Sequence, residues 1–530
     1  MPKISKPAAG KIGLFSAIMV IFGAVVGIGI FFKNSTVFRL NEGNWLGVIL
    51  SWIISILIIL CTALSFAEIS TVRMSNRNAG FGGWSQTMCN HGFGRYSKLG
   101  YSFAFYSMNT FAVVFFAGEA IMNCFAKLGQ GGSDIGGFDF GSLTTLYVFI
   151  AGGGLFVILL LLNYFTSRGM SKFGNVVGIF KFLPIFMVII LGITFGALYQ
   201  DNGIWPNAQN ATKPVETGSF SLLGMTRAIP SILFSYEGFL VVGNLSGDMK
   251  DPRKEVPIAV VLGVAVISTL YLLITIGCMF VGTGNVYELM KVVPNETVGK
   301  VLTYVMSIFI YICLIGTLNA LIFSGARGLQ ALCIDGTIFR GRRLANRKPN
   351  NSLYAGIIWK GILVGFWWVL TIIPSCILNT DCLADAPSVV MVVFLYIIYF
   401  TNILFAFINR FTKKHETKHF GIFPFAAIIA MLGALLVFSM SGVYQYIVMP
   451  IKDINSDNFD CGWGLFVKTA EVMKDGKLVK EINFLSSVEV IAWFWGMFAF
   501  IAVTPFINDL AIKYWDRGNH ERLIWERNQY

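Results

Sequence analysis

Charge is what this sequence has least of. Asp, Glu, Lys and Arg make up 13% of its 530 residues, about half of the roughly 25% usual in soluble domains. A soluble chain so poor in charge would expose apolar patches prone to aggregation. Histidine is scarcer still, at four residues, and no Cys-x-x-Cys pair or Cys/His cluster suggests a metal site. No phosphate-binding GxxxxGK[ST] occurs, which argues against a nucleotide-driven pump. No nucleophile motif or paired catalytic histidine is present either, so neither enzyme chemistry nor a cofactor is expected. The nine cysteines carry little information. Cys61, Cys124, Cys278 and Cys313 fall in apolar runs, where they read as small hydrophobes, while Cys376, Cys382 and Cys461 fall outside and are able to form one disulfide.

What is abundant is apolar surface. Hydrophobic residues reach 55%, with 48 Phe, 18 Tyr and 12 Trp, and mean hydropathy is +0.69. Such composition excludes a disordered chain and points to an integral membrane protein. Twelve runs of about 20 residues are long enough to span a bilayer. They lie at 12–32, 45–69, 99–126, 143–164, 173–198, 221–246, 256–281, 299–325, 353–374, 387–409, 422–447 and 488–508. The first is too long and too rich in glycine for a signal peptide and reads as a retained helix.

Lys and Arg concentrate in the N-tail, alternate loops and the C-tail, while acidic residues favour the opposite side. By the positive-inside rule both termini are expected to be cytoplasmic, and the plasma membrane is the expected location. The net charge of +12 is then a topology signal facing anionic lipid. Scattered among loops instead of gathered on one face, it does not suggest nucleic-acid binding. Lys181 and Arg227 are basic residues well within spans; Glu68, Glu119, Glu237 and Glu489 lie in or at the edge of spans. Two loops stand apart. Residues 450–486 are polar and alternate like a hairpin around Asp475-Gly476. The loop 71–98 contains Asn78-Ala79-Gly80-Phe81-Gly82-Gly83 yet reads as ordered, because Trp84 and Phe93 give it apolar faces to bury.

Two spans carry interruptions at membrane depth, where an unpaired backbone group costs several kcal/mol. The first reads Gly23-Ala24-Val25-Val26-Gly27-Ile28-Gly29-Ile30-Phe31. The sixth reads Phe234-Ser235-Tyr236-Glu237-Gly238-Phe239, just after Pro230. Gly23 and Gly27 alone would suit close helix packing, but Gly29 fits an unwound turn better. A carboxyl such as Glu237 inside a span marks a functional site by default, against the plainer reading of a pairing with a neighbouring helix. Breaks in spans 1 and 6 are the spacing expected of inverted repeats. Half-helix N-termini suit a carboxylate and half-helix C-termini an ammonium, so one site with both suits an α-amino acid head group. Lys181, inside GIFKFLPIFMVII, reads either as a snorkelling lysine or as a buried amine that gains and loses a proton. Glu119 and Asn319 are weaker candidates, for which bridging two helices is the plainer reading.

These residues resemble the amino acid–polyamine–organocation superfamily of permeases. GAVVGIGIFF (23–32) is similar to its first-helix signature, and SFAEISTVRMSNRNAGFGGW (65–84) to the end of its second helix and first inner loop. RGMSKFGNVVGIFKFLP (168–184) is similar to its helix 5 with the lysine, ILFSYEGF and DMKDPRKEVPIAV (232–239, 248–260) to its broken helix 6 and the following loop, and GTLNALIFSGARGLQALCIDG (316–336) to its helix 8. The likeness runs in order over about residues 12–410. It implies an all-α, leucine-transporter-type fold of ten core helices in a 5+5 inverted repeat plus two peripheral ones. The corresponding divisions are an N-tail 1–11, a first repeat 12–198, an outer loop 199–220, a second repeat 221–409, peripheral helices 410–508 that include the loop 450–486, and a C-tail 509–530.

The resemblance also implies secondary transport of amino acids by alternating access, driven by protons or by exchange. Gly27, Ile28 and Gly29 would offer N–H groups to the substrate carboxylate, and Phe234, Ser235 and Glu237 carbonyls to its amino group, with Val26 and Gly238 completing the two broken segments. Phe234 would also be the aromatic gate and Lys181 the proton-coupling residue, with Asn319 at the edge of the substrate site. Three features depart from the family pattern. Ile28 stands where a small hydroxyl residue is often found, no proline follows Ile30-Phe31, and Glu237 replaces a usually apolar residue, an acid that would either favour a cationic side chain on the substrate or itself titrate. The contrasting reading is a membrane sensor that binds an amino acid without net transport.

Overall fold

A computed structural model of the chain describes residues 13–27, 29–72, 80–129, 143–198, 218–281, 284, 286, 289–290, 293, 295–348, 353–456, 459–464, 468–474, 477–482 and 485–528. Ile28, Asn78, Ala79, Asp475, Gly476, the N-tail 1–11 and most of the loop 199–220 therefore lie outside the described residues. In chain order the helices are α1 Leu14–Val25, α2 Asn34–Leu40, α3 Trp45–Ile69, α4 Phe81–Met88, α5 His91–Phe103, α6 Thr110–Gly129, α7 Thr144–Phe165, α8 Ser167–Phe180, α9 Phe182–Leu198, α10 Leu222–Phe234, α11 Pro252–Val281, α12 Glu296–Asp335, α13 Gly341–Arg347, α14 Tyr354–Leu378, α15 Cys382–Thr412, α16 Phe423–Leu436, α17 Met449–Lys452, α18 Ser487–Trp515 and α19 Arg517–Asn528.

Among the described residues eleven helical stretches are long and apolar enough to cross a membrane, and α10 is a shorter apolar helix in the position of the sixth span. The structure is thus an all-α, multi-pass membrane body. Side-chain caps set several starts: Asn44 accepts from the Gly47 N–H, Asn295 from Val298, and Ser486 with Glu489 forms a capping box. Glu489, which sequence placed at the edge of a span, is therefore a helix cap. The fifth span is divided at Lys181, where α8 ends and α9 begins. Pro184 has no N–H for the carbonyl of Phe180, which removes one rung at that point. Close packing uses small residues: a Cβ on Gly118 of α6 would collide with the Val148 carbonyl of α7, and one on Gly152 with that of Val114.

The two ends of the bundle are closed by polar contacts. At the end carrying α4, Trp84 is 1% exposed, the Arg410 guanidinium pairs with Glu68 at 2.7 Å, and Lys98 pairs with Asp335 at 3.1 Å. At the other end, β1 Lys468–Lys474 and β2 Lys477–Ile482 form an antiparallel hairpin with Lys474 opposite Lys477. The segment just before it, residues 459–464, lies across the helix ends as a strap. Trp463 is fully buried and its Nε1–H donates to the Tyr446 hydroxyl at 3.1 Å. Arg39 donates to the carbonyls of Trp463 and Gly464, and Arg227 to that of Asp460 at 2.6 Å. Among the described residues none of the nine cysteines, Cys376, Cys382 and Cys461 included, is joined in a disulfide.

Candidate functional site

Both predicted interruptions are present, and they face one another. α1 stops at Val25, Val26 is extended (φ −72°, ψ 110°), and the chain resumes as a wide π-turn over Gly29–Lys33. α10 stops at Phe234, and residues 235–240 turn before a tighter 3-10 helix, Val241–Asp248. Gly238 takes φ +110°, a conformation open to glycine at little cost. A Cβ on Gly29 would collide with Ser235, and one on Gly27 with Thr317. These glycines allow the two unwound backbones and α12 to approach so closely.

Lys181 occupies the first break. Its ammonium donates to the carbonyls of Gly23 at 2.6 Å and Val26 at 2.7 Å, and to the Thr317 hydroxyl at 2.7 Å. The three N–H donors of an ammonium thus meet three oxygens. The side chain is 1% exposed, so it reaches inward to the broken helix; it does not snorkel to an interface. Gly316 leaves room for it, since a Cβ there would lie 3.1 Å from Lys181 Cε. Tyr271 of α11 joins both breaks: its hydroxyl lies 3.2 Å from the Val25 carbonyl and 3.3 Å from that of Ser235.

Phe234 lies at the end of α10 beneath Lys33, whose Nζ is 5.7 Å from the ring centroid. Lys33 forms a buried ion pair with Asp385 of α15. That carboxylate also accepts from the Ser388 hydroxyl at 2.9 Å and from the Gly464 N–H at 3.2 Å. A buried pair of this kind is stable only when further hydrogen bonds satisfy its remaining atoms, and here the strap supplies one of them. Glu237 is buried among aromatic rings. Tyr399 donates to its Oε2 at 3.2 Å, Oε1 has no hydrogen-bond partner, and the Tyr399 ring packs against Phe66, Phe81 and Phe239.

The predicted residues are not all brought together. Val26, Gly27, Gly29, Phe234, Ser235 and Lys181 converge around the two breaks. Asn319 lies elsewhere, accepting from Asn163 at 2.9 Å and donating to the Met170 carbonyl at 3.1 Å, so it ties α7 and α8 to α12. Glu119 is fully buried on α6. Sequence reasoning missed Thr317, Tyr271, Lys33 and Asp385. It also counted Lys360 with the loops, whereas the structure places it inside α14 and fully buried; a lone lysine in YAGIIWKGILVGFWW was the available signal. Among the described residues no group of three or more His, Cys, Asp or Glu side chains is arranged to hold a metal ion.

The model of the family described as amino acid permease matches residues 12–467, which covers both breaks and Lys181. The chain belongs to the amino acid permease family. Curated relatives agree. The permease is 22% identical over 485 residues to the serine/threonine exchanger SteT of Bacillus subtilis, covering 87% of this chain and 94% of that one. It is 22% identical over 436 residues to the b(0,+)-type amino acid transporter 1 of Mus musculus, with 81% of each chain covered. A third relative, the glutamate/serine transporter AimA of Bacillus subtilis, is 28% identical over 284 residues, 52% of this chain and 48% of that one. The chain also covers 65% of an uncharacterized protein of Mycoplasma pneumoniae at 24% identity.

Proposed function

We propose that this permease is a secondary transporter of amino acids in the plasma membrane, working by alternating access with both termini cytoplasmic. The observation that carries the reading is Lys181, an ammonium seated on the free carbonyls of a broken helix. There its proton is linked to the shape of the first break, because its loss removes one of the three N–H donors shared among Gly23, Val26 and Thr317 and loosens the segment that would bind substrate. Spans 1–5 (12–198) and 6–10 (221–409) act as inverted repeats, each opening with one of the two breaks. The N–H groups of Gly27, Ile28 and Gly29 receive the substrate carboxylate, and the carbonyls of Phe234, Ser235 and Glu237 receive its amino group. Phe234 gates the site from the side of the Lys33–Asp385 pair.

Glu237 has one oxygen without a partner in a buried aromatic setting, which suits a cationic side chain on the substrate. The names of the relatives add serine, threonine and glutamate as substrates to test. Purified protein in proteoliposomes, given labelled serine, alanine and arginine with and without an imposed pH gradient, tests the reading. Wild-type uptake is expected to rise with an inward proton gradient and Lys181→Ala uptake to lose that stimulation. A Lys181→Ala protein stimulated to the wild-type extent overturns the coupling role.

A further inference from the structure

A second lysine lies inside the bundle, remote in sequence from the first and set in a different environment. Lys360 of α14 is fully buried. Its Nζ meets the Tyr106 carbonyl at 2.6 Å and the Thr110 hydroxyl at 2.5 Å, and faces the Tyr106 ring at 5.7 Å, near the outer limit of a cation–π contact. Two oxygens receive it, where three receive Lys181. A neutral amine has two N–H donors and an ammonium three, so this site matches the neutral form.

Several charged and titratable groups on the elements packed around α14 are engaged elsewhere. On α12, Arg327 stacks on Phe323 and Asp335 pairs with Lys98. On α7, Tyr164 accepts from Lys348. On α15, Asp385 pairs with Lys33 and Tyr399 donates to Glu237. On α13, Arg343 pairs with Asp516, and Glu119 of α6 has Asp381, Asp385 and Lys33 as charged neighbours. Tyr106 is the titratable group that faces Lys360.

The surrounding backbone is itself irregular. Tyr106 belongs to a π-turn, Ala104–Asn109, that interrupts the helix of the third span, and π-turns within helices concentrate at functional sites. The Tyr106 hydroxyl accepts from Asn244 at 2.7 Å, and Asn244 lies in the 3-10 segment that follows the second break. One residue therefore joins the amine to the inner half of the sixth span.

We propose that Lys360 is a second proton-binding site of this permease, neutral in the conformation described here and protonated in another state of its cycle. The amine lone pair takes a proton delivered by water, forming one N–H bond, and releases it to water in the return half of the cycle. The added N–H and charge find no third oxygen here. The protonated form therefore favours a rearranged π-turn, and Tyr106 carries that rearrangement to Asn244. The proposal rests on the transport reading, but it does not require Lys181 to be the coupling residue.

Hydrogen exchange of peptides spanning 101–112, measured by mass spectrometry on purified protein in nanodiscs from pH 6 to 9 and corrected for intrinsic exchange, tests it without a substrate. In wild type the corrected exchange is expected to rise at least threefold as pH falls. Lys360→Met, permanently neutral, should stay protected throughout, and Lys360→Arg, permanently charged, should exchange fast throughout. Wild-type exchange that does not change with pH, or a Lys360→Met protein that keeps the wild-type profile, overturns the proposal. If Lys360→Arg does not fold, the other two proteins still decide it. Uptake of labelled serine, alanine and arginine by the same wild-type preparation separates the outcomes, because failure to take up all three counts against the transport reading and leaves the exchange result standing.

Discussion

The two broken spans solve one problem in opposite ways. Within the second break the backbone N–H groups are met mostly by its own turns: those of Ser235, Tyr236 and Glu237 reach the carbonyls of Ile232, Leu233 and Phe234, and Val241 reaches Gly238, with the Tyr271 hydroxyl added at the Ser235 carbonyl. The first break borrows its partners. Val26 is extended, and the carbonyls of Gly23 and Val26 are met by Lys181 from α8–α9 and Thr317 from α12. A segment knitted by its own turns holds its shape whatever its neighbours do. A segment held by borrowed donors changes when those donors move or lose a proton, so the first break is the responsive one.

Three substitutions, read by thermal unfolding of the purified protein, order this difference. Gly29→Ala forces a methyl group into Ser235 where the two breaks touch; overpacking of this kind should cost about 3 kcal/mol and abolish uptake. Full activity in that variant would mean that the close approach is not needed. Thr317→Val removes one of the three oxygens on Lys181 and the hydroxyl at the Val26 carbonyl. A bond to a charged group is worth about 2 kcal/mol, and the loss should fall on the pH-gradient response more than on basal exchange. Glu237→Gln should cost least, under about 1 kcal/mol, because Tyr399 can still donate to the amide oxygen. It should nonetheless lower arginine uptake relative to alanine several-fold. If Glu237→Gln destabilised the protein more than Thr317→Val, the contrast between the breaks would be wrong. An unchanged arginine-to-alanine ratio would remove Glu237 from substrate selection.

The sequence made the spans legible because each apolar run is local and long. All twelve meet a helix, and Trp45–Ile69 coincides with the run at 45–69. The breaks were legible for the same reason, since Gly27-Ile28-Gly29 and Glu237-Gly238 are short-range signals in an apolar background. What escaped depends on elements far apart in the chain. Thr317 reaches Val26 across 291 residues, and Lys33 reaches Asp385 across 352. Each of the latter two reads as an ordinary loop charge until the fold brings them together. Asn319 follows the plainer of its two readings: a polar residue on α12, two positions from Thr317, that joins α7 and α8 to α12. Lys360 was visible as a lone cation in an apolar run, but periodicity does not say whether such a residue meets lipid, water or a carbonyl.

The strap at 459–464 bears on how the protein is made. It covers the Lys33–Asp385 pair with residues that follow α17, so they emerge after every helix of both proposed repeats. During synthesis that end of the bundle stays uncovered until the chain has passed residue 464, and until then Asp385 lacks the Gly464 N–H that completes its hydrogen bonding. A protein cut back to its first ten spans would retain both breaks and both buried lysines, yet would be left permanently in that unfinished state.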